Sequence, residues 1–214
     1  MYRYLDKLLE IEKKKIRTEF NRVSVMGFDE LNVVNTRTTT QSIYDKFLSD
    51  NEALYLKGAK IAYKNAVKSA KNAGFVGKEE DVDGEWVVGM LAGYNLVTGY
   101  IYDKEAYRKR LRLNEQILTA REYSNREMFQ ESLRKAANLW FTQTTQYGIS
   151  AVDEATIKGF KDMGVKEVRW IAADDEKTCP TCGVRDNQVY KVDKIPPKPH
   201  YGCRCYIVPV ETKE

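Results

Sequence analysis

The sequence predicts an α+β protein: a mainly α-helical N-terminal region followed by a small C-terminal β-rich domain clasped by cysteines. Three observations predict it. Apolar residues recur at helical spacing over most of the first 150 positions. All four cysteines, Cys179, Cys182, Cys203 and Cys205, fall in the last 36 of 214 residues. Beyond Asp174 the chain becomes turn-rich, with Pro180, Pro196, Pro197 and Pro199 among short β-branched runs. The change of character places a boundary near residue 150, which gives a helical body over 1–150 and a C-terminal domain over 151–214.

Along the body, Leu5, Leu8, Leu9, Ile16, Phe20 and Val23 give residues 3–26 an amphipathic helical pattern ending at Gly27. The β-branched, polar stretch NVVNTRTTTQSIY predicts a break near residues 35–40, with Thr38 to Gln41 as a loop or cap. Ile43, Phe47, Leu54, Ile61, Ala62, Ala66 and Ala70 predict a helix from Ser42 to Ala73, with Gly74 as its stop. GFVGKEEDVDGE reads as a flexible acidic linker, and EWVVGMLAGYNLVTG as a short helix buried almost all round. Residues 102–147 hold neither Gly nor Pro and read as one bent helix, or two broken near Tyr123 to Asn125. A last helix is expected over Val152 to Met163, stopped by Gly164. Val165, Val168, Trp170 and Ala172 then mark a half-buried strand, and Val189 to Val192 and Tyr206 to Val210 are further short β runs.

With 43% hydrophobic and 31% charged residues the chain is globular rather than disordered. Lys and Arg number 35 against 31 Asp and Glu, a net charge of +4, so charge alone names no partner. No apolar run approaches the roughly 20 residues that span a bilayer. The start MYRYLDKLLEIEKKK carries charges where a signal peptide needs an apolar stretch, so the expectation is a chain made and kept in the cell.

Cys179-Pro-Thr-Cys182 is a C-x-x-C knuckle, and His200-Tyr-Gly-Cys203-Arg-Cys205 supplies a second set of soft donors. Folding the intervening segment back brings Cys179, Cys182, Cys203 and Cys205 to one tetrahedral Zn(II), with His200 as an alternative fourth ligand because C-x-C is tighter than the usual knuckle. Disulfides, or thiols that stay reduced and buried, are the other readings. A redox C-x-x-C would open a helix in a thioredoxin-like α/β context, which is missing. A closed four-ligand centre stabilises rather than catalyses, since catalytic zinc keeps a position open for water.

Together, WIAADDEKTCPTCGVRDNQVY and PPKPHYGCRCYIVPV resemble the C-terminal domain of phage minor head proteins of the Mu F-like, head morphogenesis type. Trp170, Asp175, Thr178, Cys179, Cys182, Pro199, His200, Cys203, Arg204 and Cys205 occupy the places of that pattern in order. Asp186-Asn187 departs from it, standing where a glycine is expected after the knuckle. The resemblance covers roughly residues 150–210. It implies a virion protein of the inner head, associated with portal or capsid proteins, acting in head assembly, DNA packaging or ejection.

Two basic clusters, Lys13, Lys14 and Lys15 in KKKIR and Arg108, Lys109, Arg110 and Arg112 in KEAYRKRLR, are candidate contacts to packaged DNA. Solvated helix faces paired to Glu10, Glu12, Glu19 and Glu105 are the plainer reading. The only histidine is His200, so a rival reading as a nuclease or toxin delivered with DNA rests on that residue and on Asp174, Asp175 and Glu176. Neighbours on an extended chain point to opposite faces, so the acidic trio cannot converge, and Asp175 is expected to brace the knuckle. No catalytic residue is assigned. Trp170 and the tyrosines are expected in the core rather than as stacking platforms.

Overall fold

A computed structural model describes residues 7, 10–11, 13–15, 17–19, 21–22, 33–97, 112, 115–120, 122–173, 178–200 and 202–211, with the side chains of 33–51, 91–97, 140, 143 and 144 left aside. Its elements are α1 (Val33–Asn72), α2 (Gly84–Val97), α3 (Arg126–Asp162), β1 (Glu167–Ile171), α4 (Pro180–Arg185), β2 (Val189–Lys191) and β3 (Tyr206–Pro209). The expected α+β class holds: long helices lead, and a small antiparallel sheet closes the chain. The chain divides into two compact units, one of Met1–Leu5, Leu54–Ala92 and Gln146–Glu214, the other of Asp6–Ala53 and Gly93–Thr145.

Helix α1 runs through the threonine-rich stretch where a break near 35–40 is expected. Val and Thr cost a helix only a few tenths of a kcal/mol each, and that stretch holds no Gly or Pro to stop it. Its end is as expected. Gly74 takes φ +87°, while its N–H donates to the Lys71 carbonyl and that of Phe75 to the Ala70 carbonyl, closing the last turn. Helix α3 ends the same way at Gly164 (φ +77°), with Val165 N–H on the Phe160 carbonyl.

Of the two readings for residues 102–147, the described part takes the broken one. The helical residues 115–120 stop where Ser124 adopts φ +54°, and the Asn125 side chain then caps α3 by accepting from Met128 N–H at 2.9 Å. A serine at positive φ is strained by roughly 1 kcal/mol. Ser124→Gly is therefore expected to raise stability by about 0.5–1 kcal/mol in urea denaturation, and an unchanged midpoint would contradict it. No break separates this helix from the one expected at Val152, since α3 continues to Asp162 across Gly148 and residue 150.

The segment after Gly74 is a strap rather than a flexible linker. Gly77 lies directly on the end of α3, Lys78 N–H donates to the Asp162 carbonyl at 3.1 Å, and Val82 is buried. Tyr63 of α1 joins the same junction: its hydroxyl donates to Asp162 Oδ2 at 2.7 Å and accepts from Glu80 N–H at 2.7 Å. Lys158 pairs with both Glu80 and Asp162. Burial, and then the Asp162 hydrogen bond, push the Tyr63 phenol up to about 12. The folded pKa exceeds the unfolded one, so this contribution is whole below about pH 10 and is lost as pH rises toward 12. Tyr63→Phe is expected to flatten the fall in stability across that window, which denaturation at pH 9 and 11.5 checks.

Helix α2 is capped by Asp83, whose carboxylate accepts from Trp86 N–H at 2.8 Å. Val87 is buried but Val88 is exposed, so the described first half shows one buried side rather than burial all round.

In the sheet, β1 is central, paired antiparallel with β2 and with β3. The alternation seen in the sequence sets its faces: Val168 and Trp170 point inward, opposite Tyr190, Pro209 and Ile207, while Arg169 and Ile171 lie on the other side. Core residues of this unit come from α1 (Ala59, Ala62, Ala66, Ala70), from α3 (Ala151, Ala155, Phe160) and from the sheet. The helices approach closely, and a Cβ on Gly159 would sit 2.9 Å from the Ala66 methyl carbon.

Candidate metal centre

The knuckle is built by a one-turn helix. Cys179 N-caps α4 with extended φ and ψ, Pro180 follows at a first-turn position where no N–H is missed, and Cys182 N–H donates to Cys179 Sγ at 3.4 Å. Asp186 closes α4, and its carboxylate accepts from Ala172 N–H at 2.8 Å, fixing the knuckle to the end of β1. Asn187 then takes φ +61°. That explains the departure from the family pattern: asparagine is among the few residues besides glycine that enter the left-handed region routinely.

The second donor set is held from α3. Lys198 donates to the Cys203 carbonyl at 3.0 Å and pairs with Asp153 at 2.7 Å. Gly202, at φ +70°, donates its N–H to Gln146 Oε1 at 3.2 Å. From the other side Arg185 donates to the Pro197 carbonyl at 2.7 Å and lies over the Trp170 ring at 5.4 Å. Trp170 is in the core, as expected, with Tyr190 edge-on at 6.5 Å.

These supports bring all five expected donors into one cluster. Cys182, Cys203 and Cys205 are no more than 2% exposed, while Cys179 and His200 are half-buried. Cys182 Sγ lies 3.6 Å from Cys203 Sγ and 3.7 Å from His200 Nε2. Ligand atoms of Cys179, Cys182 and His200 fall within 4.8 Å of one another, as do those of Cys182, Cys203 and Cys205. None of the four cysteines is in a disulfide, and the sulfur contact is far longer than the roughly 2.05 Å of a disulfide. Tetrahedral metal–sulfur bonds of about 2.3 Å place sulfurs about 3.8 Å apart, close to the Cys182–Cys203 contact.

Burial pushes the Cys182 thiol well above its ordinary range, and the adjoining Cys179, Cys205 and Cys203 push it further. Burial raises Cys203 as well. The Cys179 thiol is lowered, first by the Cys182 N–H it accepts from. Buried thiols this close resist ionising together unless a cation compensates them, and metal binding supplies that cation by displacing the protons. The donor chemistry fits a soft or borderline metal ion, and this cluster can hold one.

Other expected site residues stand apart. Asp174, Asp175 and Glu176 lie outside the described residues, as do Arg108, Lys109 and Arg110. Lys13 pairs with Glu10 at 3.3 Å and stands 4.6 Å over the Phe141 ring, while Lys14, Lys15 and Arg112 are exposed. Asp186, Lys198, Asp153 and Gln146 escaped the sequence reading. The Asp186-Asn187 pair is a turn signal, but the contacts of Lys198 and Gln146 reach far along the chain and leave no local mark.

Among the described residues no helix is long and apolar enough to cross a membrane. No curated protein and no solved structure matches the chain. Residues 115–208 match the model of the family described as Phage Mu protein F like protein, a span that takes in all of α3, the sheet up to Val208 and every donor of the cluster. Over this segment the chain is similar to the Phage Mu protein F like family, which supports the resemblance to phage head morphogenesis proteins.

Proposed function

We propose that the chain is a non-enzymatic minor head protein of a tailed bacteriophage, present in few copies in the inner head near the portal and acting in head assembly, DNA packaging or ejection. The observation that carries this reading is the family match over 115–208 together with the donor cluster inside it. In this reading residues 1–150 present helical faces to portal or capsid proteins, and residues 151–214 form a compact anchor. The cluster acts as a structural Zn(II) clasp, with Cys179, Cys182, Cys203 and Cys205 or His200 as its ligands, because thiolates and imidazole at such spacing suit that ion. Exposed Lys14, Lys15 and Arg112, with Lys13, Arg108, Lys109 and Arg110, add a weak, sequence-independent attraction to packaged DNA.

A quantitative protein inventory of purified phage particles tests the reading. A few copies per particle, far below the major capsid protein, is the expected result. Absence from particles, with the protein abundant in infected cells, overturns it.

A further inference from the structure

The clasp offers five soft donors arranged as two threes. Cys179, Cys182 and His200 form one group, Cys182, Cys203 and Cys205 the other, and Cys182 Sγ is the atom they share. Its contacts are nearly equal on the two sides, 3.7 Å to His200 Nε2 and 3.6 Å to Cys203 Sγ. A tetrahedral Zn(II) must draw its fourth donor from across Cys182, and it leaves a fifth donor over. Three-coordinate ions make no such demand. With metal–donor bonds of about 2.3 Å a trigonal ion spaces its donors about 4 Å apart, within the 4.8 Å that bounds each group.

We propose that this clasp takes two thiophilic monovalent ions of the Cu(I) class, one in each group, with the Cys182 thiolate bridging them. The inference rests on the reading of the clasp as a metal centre. Soft thiolates select Cu(I), and bridging needs a sulfur with both groups beside it, which is Cys182 alone among the five donors. Burial adds to the fit, because Cys182, Cys203 and Cys205 are nearly closed to water, and exclusion of water shields a cuprous thiolate from oxidation. The protons displaced from the four thiols leave to solvent, and the copper stays in one oxidation state throughout.

The full-length, metal-free chain is titrated anaerobically with Cu(I) as its acetonitrile complex, ions per chain are counted by native mass spectrometry, and copper X-ray absorption is recorded at saturation. Two coppers per chain with a copper–copper scattering shell are expected, against one ion in a parallel Zn(II) titration. Cys182→Ser is expected to abolish the copper–copper shell, and Cys179→Ser to abolish it while the group of Cys182, Cys203 and Cys205 keeps one copper. Saturation of the wild-type chain at one copper, or at two without that shell, overturns the proposal even if a variant fails to fold. A folded wild-type chain that retains neither zinc nor copper overturns the metal-centre reading itself.

Discussion

Replacing Gly77 by alanine is expected to cost about 3–5 kcal/mol of unfolding free energy, a loss in the upper range for single substitutions. The added Cβ would stand 2.1 Å from the Asp162 carbonyl oxygen and 2.4 Å from Met163 Cα. Both are backbone atoms in the closing turn of α3, so no side-chain rotation relieves the clash. The strap must lift, which breaks the Lys78 N–H bond to the Asp162 carbonyl and draws Glu80 N–H from the Tyr63 hydroxyl. It also uncovers Val82, which is 1% exposed. Gly74→Ala is the control: its Cβ meets nothing within 4 Å, and only φ +87° opposes it, so about 1 kcal/mol is expected. Urea midpoints of the two variants separate close packing from backbone strain. A Gly77→Ala variant within 1 kcal/mol of the parent would show that the strap does not hold the junction.

That junction shows where the sequence was readable and where it was not. Gly74 and Gly164 were legible as helix stops because the end of a periodic pattern followed by glycine has a local cause. The strap has the composition of a flexible linker, since KEEDVDGE is acidic and carries only one apolar residue. What fixes it is Gly77 against a carbonyl far along the chain and one phenol placed by α1. In α1 the opposite holds. A β-branched, polar stretch with weak helix propensity predicts a break, yet the helix runs through it, because propensity differences of tenths of a kcal/mol decide little beside a long cooperative helix. The strand β1 was legible because alternation at Val168 and Trp170 has a period of two whatever the strand pairs with. That these five side chains cluster was legible from types and spacing alone, and so was the ambiguity among them. Their arrangement about Cys182 was not, because it depends on how Lys198 and Gly202 are held against α3.

Removing the metal proposed for the clasp is expected to release the sheet while the long helices persist. The strands have five, three and four residues, and their inward face offers chiefly Val168, Trp170 and Ile207 to the core. Full burial of such side chains is worth roughly 1.5–3 kcal/mol each, whereas ordering the backbone costs about 1–2 kcal/mol per residue along the whole segment. A structural metal site, at an apparent 10–16 kcal/mol or so, is of the size that offsets this. Hydrogen exchange reads the result residue by residue. In the structure the Trp170, Val192 and Val210 amides donate to the carbonyls of Gln188, Lys166 and Glu167. A chelator is expected to speed their exchange about a thousandfold or more, a change on the order of 4 kcal/mol. Amides of α1 around Ala66 and of α3 around Ala155 are expected to keep most of their protection, because those helices bury their own apolar faces. Cys182→Ser is expected to reproduce the chelator's effect without it, and more fully than Cys205→Ser, because Cys182 alone belongs to both donor groups. Sheet amides that stay protected in the metal-free chain would mean that Arg185, Lys198 and the core hold the domain closed by themselves, and that the cysteines serve something other than stability.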